Sequence, residues 1–390
     1  MKTPLPRTLA GAADQLPPDT PGAPCRVTAY PRYSQLGASS RLRWLQFVPL
    51  LQREGLHVES SPLLCDTYLQ HKYAGRPVIG QILSAYFQRT RALLTGSRRA
   101  DLVWIEKELW PWAPAWLERL LLAGRPFVLD YDDAIFHTYD QHRNPILRAL
   151  YGRKIDRLMR AAALVIVGNA YLGERARHAG ARRVEWLPTV VDHERYTVEP
   201  QSHARDGALR IGWIGTPATV AYMRPLRPAL AELARRRRIV VHLIGASLAI
   251  PGVEVRSLPW SEISEVAAIA ELDVGLMPLP DTPWERGKCS YKLIQYMACG
   301  LPVVASPVGA NLSVVEDGVT GFFADSDEAW IGALCRLADD PGLRRRMGQL
   351  GQVRVEQRYS LQTAAPQLAC WLREASCRVG ADRKLSHFCG

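Results

Sequence analysis

Three cations crowd one short stretch of this 390-residue chain: Arg286, Lys288 and Lys292, in the segment PWERGKCSYKLIQYMACG. The pattern predicts a helix that begins near Ser290 and stops at Cys299-Gly300, with Gly300 suited to a left-handed cap and Pro302 just beyond. A lysine in the first turn opposes the helix dipole, so Lys292 is locally unfavourable unless an anion answers it. Free N–H groups at a helix start, the Ser290 hydroxyl and three cations together make a cradle for phosphate. Most charge runs simply face solvent. Here the conflict with helix electrostatics favours a ligand.

Two further constellations lie at the ends of apolar runs. Gly215-Thr216-Pro217 follows LRIGWI, where a loop backbone can approach a phosphate or an acceptor. Its G-x-x-G pattern is not the dinucleotide fingerprint, and a plain tight turn is the alternative. Asp130, Asp132 and Asp133 end the run PFVLDYDD. Asp130-Tyr131-Asp132 spells D-x-D, a metal motif, but the phosphate cradle lies in the other half of the chain, so no metal is expected. Asp133, with Asp132 behind it, is the candidate for work at the reacting centre. A simple capping role for either stands beside that reading.

Such groups need strand ends to hold them, and the chain supplies strands in alternation with helices. CRVTAY, LHVESS, DLVWIE, PFVLDYDD, ALVIVGN and RVEWLP read as strands with helical stretches between them. The polar segment around residues 192–207 breaks the pattern, and LRIGWIG, IVVHLIG, VEVRSLP, DVGLMPL, PVVASP and GFFA then restart it. The fold class is therefore α/β: two doubly wound parallel-sheet domains facing across a cleft. The expected divisions are a tail at 1–24, a first domain at 25–195 and a linker at 196–208. A second domain at 209–358 and a C-terminal helix and tail at 359–390, returning to the first domain, complete them.

The stretch QYMACGLPVVASPVG followed by EDGVTGFF resembles the donor-binding core of the retaining glycosyltransferases of family 4, which have the GT-B fold. The resemblance is specific from about residue 209 to 358. It is looser in the first half, through a loop at Gly37, the VIVGNA region and LPTVVDHERY. It implies two Rossmann-like domains, the first (25–195) on the acceptor side and the second (209–358) binding the donor, a nucleoside-diphosphate sugar as co-substrate, same-face attack and no other cofactor. It implies donor contacts at Gly215, Thr216, Glu285, Ser290, Tyr291 and Gln295. The family's usual Arg-plus-Lys pair after the first strand of the second domain is missing, and Arg286, Lys288 and Lys292 are expected to take over its charge neutralisation. Gly37 and Asp133 are the candidates for the acceptor side, and Asp133, Asp132 and Lys292 for catalysis. Two further departures stand out. Gln295 occupies the place of the acid that holds the donor ribose in the family. Gly287 occupies that of the acid that contacts the sugar, with Glu285 two residues early.

Composition narrows the alternatives. The chain has 49 Lys+Arg against 38 Asp+Glu, a net charge of +11, and residues 1–190 carry 26 of those cations and 16 of the acids. Only seven of the cations are Lys, so part of the excess reflects a chain that favours Arg. A basic first half, the amphipathic stretch Pro77–Gly96 with Arg89, Arg91, Arg98 and Arg99, a second basic helix at Arg143–Arg160 and the tryptophans 104, 110, 112 and 116 suggest an anionic membrane surface as partner. Ordinary half-buried helices are the competing explanation. No aromatic-basic motif for nucleic acid is found. The eight cysteines form no zinc framework. With no apolar leader and no spanning run, a cytoplasmic protein, peripheral on the inner face of the membrane, is expected. The expected function is transfer of a sugar to an unassigned glycan or lipid-linked acceptor. A nucleotide-sugar epimerase on the same fold, or a degenerate non-catalytic subunit, are the alternatives.

Overall fold

The computed structural model describes residues 25–95, 100–196 and 207–386. The expected N-terminal tail, most of the expected linker, Arg98, Arg99 and the last four residues lie outside them. Each run read as a strand forms one. The first six are β1 (Cys25–Tyr30), β2 (Leu56–Ser60), β3 (Leu102–Glu106), β4 (Phe127–Tyr131), β5 (Leu164–Val167) and β6 (Val184–Trp186). They make a parallel sheet in the order β2-β1-β3-β4-β5-β6. The second six are β7 (Leu209–Ile214), β8 (Ile239–Ile244), β9 (Glu254–Leu258), β10 (Val274–Met277), β11 (Val303–Ala305) and β12 (Gly321–Phe323). They form a parallel sheet in the order β12-β11-β10-β7-β8-β9.

Continuous apolar runs such as Leu164–Val167 in the first sheet and 239–241 in the second are buried because helices cover both faces of each sheet. On one face of the first sheet, helices Ile79–Thr95, Ala115–Leu121 and Lys154–Ala161 bury Leu93, Ala115 and Leu158 against Val103, Leu129 and Val165. On the other face lies the last helix, Leu361–Ser386, whose Leu361, Leu368 and Leu372 pack with Trp44, Trp104 and Val128. The chain thus leaves the second sheet and ends on the first. Outgoing and returning segments run side by side: Val191 N–H donates to Tyr359 O at 3.0 Å and Leu361 N–H to Val191 O at 2.8 Å.

The tryptophans do not form one exposed loop. Trp104 is part of β3, fully buried against Trp44 at a ring distance of 5.3 Å, and Trp110 is buried too. Their neighbours Trp112 and Trp116 reach the surface. Trp104 lies in a strand buried on both faces, whereas Trp112 and Trp116 lie in the turn and the helix beyond it. Among the described residues, no helix is long and apolar enough to cross a membrane.

Each sheet reverses its strand order once, between β1 and β3 and between β7 and β10. Open parallel sheets take ligands at the carboxyl ends of strands beside such a reversal. The loops after these strands carry Gly37, Lys107, Gly215 and Glu285, so these residues stand at the two reversals.

Candidate active site

The segment 285–292 lies between the sheets and is built by a short turn of helix, Pro283–Arg286, followed by the helix Tyr291–Ala298. Ser290, the residue before that helix, has φ 57°, a left-handed conformation that costs a non-glycine residue free energy. Its hydroxyl donates inward to Asn311 Oδ1 at 2.6 Å, and no side chain caps the helix. The Ser290 hydroxyl expected in the phosphate cradle is therefore already engaged, and the backbone N–H groups of the helix start are left for an acceptor.

Lys292 sits in that first turn. Its Nζ lies 4.1 Å from the centroid of the Trp213 ring, a cation–π contact from β7. Among the described residues it makes no ion pair. Burial, with Lys288 nearby, pushes its ammonium down to about 7. Lys288 stands over Tyr222 at 5.9 Å and reaches Asp133 of the first domain at 3.9 Å. Arg286 does not join them: its guanidinium is half exposed and pairs with Asp281 at 2.6 Å.

Glu285 is buried and fixed by two hydroxyls. Tyr222 donates to its Oε1 at 2.7 Å, and Thr282 donates to its Oε2. Gly287, which takes the place of the family's sugar-contacting acid, cannot bear a side chain here. A Cβ on it would stand 2.5 Å from the Ala134 Cβ and 2.7 Å from the Ala134 nitrogen. The second domain presses on the first at this point. Beside it, Asn169 Nδ2 donates to Lys288 O at 2.9 Å and to Arg286 O at 3.3 Å, while Cys289 Sγ donates to Asp132 O at 3.0 Å. Burial pushes the Cys289 thiol up, which makes it a poor nucleophile.

Gln295 is 2% exposed and donates through Nε2 to the Tyr196 hydroxyl at 2.9 Å. Tyr196 in turn donates to Glu265 at 2.9 Å and lies 3.4 Å from the Tyr291 hydroxyl. Tyr291 and Gln295 are thus knitted to the segment that leaves the first domain. Gly215 packs against the Trp213 ring, which a Cβ would meet at 2.3 Å. Thr216 forms a turn with Thr219, whose Oγ1 accepts from Thr216 N–H at 3.0 Å.

On the facing domain the centre is a residue that the sequence reading passed over. Lys107, just past β3, has φ 65° and is buried, with its Nζ 2.9 Å from Asp132 and 3.7 Å from Asp133. Burial works against its charge, but Asp132, Asp133 and Glu106 outweigh it and hold the ammonium above its ordinary range. Burial would also raise Asp132, yet Lys107 and the Ser39 hydroxyl keep that carboxyl below the usual range. Burial and the Asp132 charge raise Asp133. The signal for Lys107 was available: a Glu-Lys-Glu triplet closing an apolar strand.

Asp130 turns elsewhere. It forms a buried ion pair with Arg43 at 2.6 Å, so the D-x-D carboxylates do not converge on one point. Gly37 opens the helical stretch that brings Ser39 to Asp132, Ser40 to Glu106 and Arg43 to Asp130. A Cβ on it would lie 2.2 Å from the Tyr33 Cβ, which is why glycine stands there.

With this geometry in view, comparison with known proteins gives one family model and several relatives. The model for glycosyl transferases group 1 matches residues 210–340. A D-inositol 3-phosphate glycosyltransferase of Pseudarthrobacter chlorophenolicus is 27% identical over 262 residues, which is 58% of this chain and 58% of that protein. The chain therefore spans less than two thirds of the length of this relative. Among solved structures, sucrose-phosphate synthase from Thermosynechococcus elongatus superposes with a TM-score of 0.67 at 15% identity, covering 90% of this chain and 98% of that one. The Anabaena protein HepE in complex with UDP gives a TM-score of 0.62 at 16% identity, covering 90% and 100%. At such identities the likeness shows the fold: two facing parallel-sheet domains of the GT-B type.

Proposed function

We propose that this protein is a retaining glycosyltransferase that moves a sugar from a nucleoside-diphosphate sugar to the hydroxyl of a glycan or lipid-linked acceptor. One observation carries the reading. Lys292 is a desolvated ammonium without an ion pair among the described residues, at the uncapped start of a helix in the cleft. Such a cation, with Lys288 beside it, is unfavourable alone and favourable once a diphosphate arrives. The group 1 model over residues 210–340 and the UDP held by HepE on the same fold support a nucleotide ligand.

As the sugar–oxygen bond breaks, negative charge gathers on the leaving diphosphate. Lys292, Lys288 and the helix N–H groups stabilise it in place, and no metal is needed for that task. Preorganised donors of this kind each lower the barrier by roughly 3–4 kcal/mol. Glu285, held by Tyr222 and Thr282, is the acid nearest in sequence to Gly287 and takes over the sugar contact. Asp133, raised by burial and by Asp132, stands on the first domain 3.9 Å from Lys288.

Transfer is tested by incubating the protein with a panel of nucleotide sugars and acceptor extracts, with product anomeric configuration read by NMR. The Lys292→Met variant is expected to lose activity by about 100-fold or more. Wild-type turnover by that variant would sink the placement of the diphosphate. An inverted product would sink retention. Stabilisation by nucleoside diphosphates without any transfer would turn the reading to the degenerate subunit.

A further inference from the structure

At the opposite end of the first sheet from Asp132 and Asp133, a surface cleft of about 380 Å³ is lined by Arg119, Arg157, Arg160, Ala161 and Arg182. No acid lines it. Among the described residues none of the four arginines makes an ion pair, and only Arg160 has a protein acceptor for its side chain, the Ala179 carbonyl at 3.0 Å. The acids nearby are already engaged. Asp156 holds Arg175 at 2.7 Å, Glu185 holds Arg183 at 2.8 Å, and Glu118 is buried against Lys154 at 2.8 Å. Four like charges brought together without a counter-charge repel one another, so the cleft is arranged for an anion that the chain itself does not supply.

A second cleft adjoins it and shares Arg119 and Ala161, but apart from Arg125 the rest of its wall is apolar, with Trp116, Leu120, Leu122 and Phe127. Trp116 and Leu120 are 64% and 63% exposed. They lie four residues apart, on one face of the helix Ala115–Leu121. In the same outer layer, the helix Ile79–Thr95 presents Ile79, Leu83 and Phe87 to solvent, again at four-residue spacing. Single exposed apolar residues are ordinary; aligned ones beside an unanswered arginine cluster mark a contact surface.

We infer that this outer layer docks on an anionic bilayer, with lipid phosphates in the four-arginine cleft and Trp116 and Leu120 in the interfacial region. Bilayer phosphates match the cleft in charge, and the apolar neighbours match the acyl boundary. A free phosphate would use the arginines alone and leave the aligned apolar residues without a role. The site is remote from the nucleotide cleft and does not rest on the proposed transfer activity.

The test is flotation of the full chain with vesicles of phosphatidylcholine, with and without phosphatidylglycerol. Binding is expected only with phosphatidylglycerol and falls as salt rises. The double variant Arg157→Glu/Arg182→Glu is expected to lose about tenfold or more in vesicle affinity, while keeping its thermal midpoint and its affinity for UDP. Trp116→Ser/Leu120→Ser is expected to weaken binding and leave its salt dependence in place. Absence of binding by the wild type, or undiminished binding by the arginine variant, would overturn the inference. So would protection of the wild type by inorganic phosphate, lost in the arginine variant, with no vesicle binding.

Discussion

Lys107 and Lys292 are both lysines in half-dry surroundings, and they differ in what answers them. Asp132 and Asp133 surround the first, and its charge is secured. The second has the face of Trp213, and burial lowers it to about 7. That difference predicts a pH dependence. A diphosphate binds the protonated amine, so the pKa of Lys292 in the complex exceeds its value in the free protein. Donor affinity is then full below about pH 7 and declines above it by up to about tenfold per pH unit, until the pKa of the complex is reached. A nucleotide sugar suits this titration because its diphosphate does not titrate near neutrality. Calorimetric binding across neutral pH should show the decline in the wild type and a flat, weaker profile in Lys292→Met. A wild-type profile that is flat from pH 6 to 9 would remove Lys292 from the diphosphate site.

At the scale of elements, the donor loop is shaped by where it touches the opposite domain. Gly287 lies against Ala134, and Gly168 is so close to Cys289 that a Cβ would fall 2.2 Å from its sulfur. Both contacts join the segment 286–289 to the ends of β4 and β5. Alanine at 287 must therefore push the loop away from the first domain, an overpacking that costs about 1–3 kcal/mol. The expected outcome for Gly287→Ala is a lower kcat with little change in UDP affinity, since the helix Tyr291–Ala298 keeps its place in the second domain. Equal losses in both would show that the contact does not couple the halves. The missing sugar-contacting acid is explained at this scale too: no acidic side chain fits where the backbones meet.

At the scale of the whole molecule, the two halves are not independent beads on a string. The helix Leu361–Ser386 follows the second sheet in sequence yet completes the core of the first. Leu368 and Leu372 are fully buried there. Leu368→Ala should cost about 2–5 kcal/mol. The loss should fall on the first domain, seen as faster amide hydrogen exchange in β1, β3 and β4 with little change in β7 and β8. Uniform acceleration would mean that the two cores unfold as one unit. The net charge divides at this scale as well. The arginine-rich half carries the unanswered cleft, while the nearly neutral half keeps its informative cations, Lys288 and Lys292, near one helix start.

Much of this was legible from the order of residues. The twelve strands could be read because buried parallel strands are short continuous apolar runs, and the alternation with helices leaves few ways to arrange them. The helix before Gly300 and the cationic start at Lys292 were legible for the same local reasons. Which cations face the cleft was not. Arg286 and Lys288 are neighbours in sequence, yet one finds Asp281 and the other Asp133 across the cleft. Lys107, the partner of Asp132 and Asp133, is far from them in the chain, and only the pairing of β3 with β4 makes them neighbours. The burial of Gln295 under Tyr196 follows from the chain crossing between domains. Local pattern determined the elements, because backbone hydrogen bonding and side-chain periodicity are local. Tertiary structure decided the partners of each charge, because electrostatic interactions and steric fit depend on distance in space.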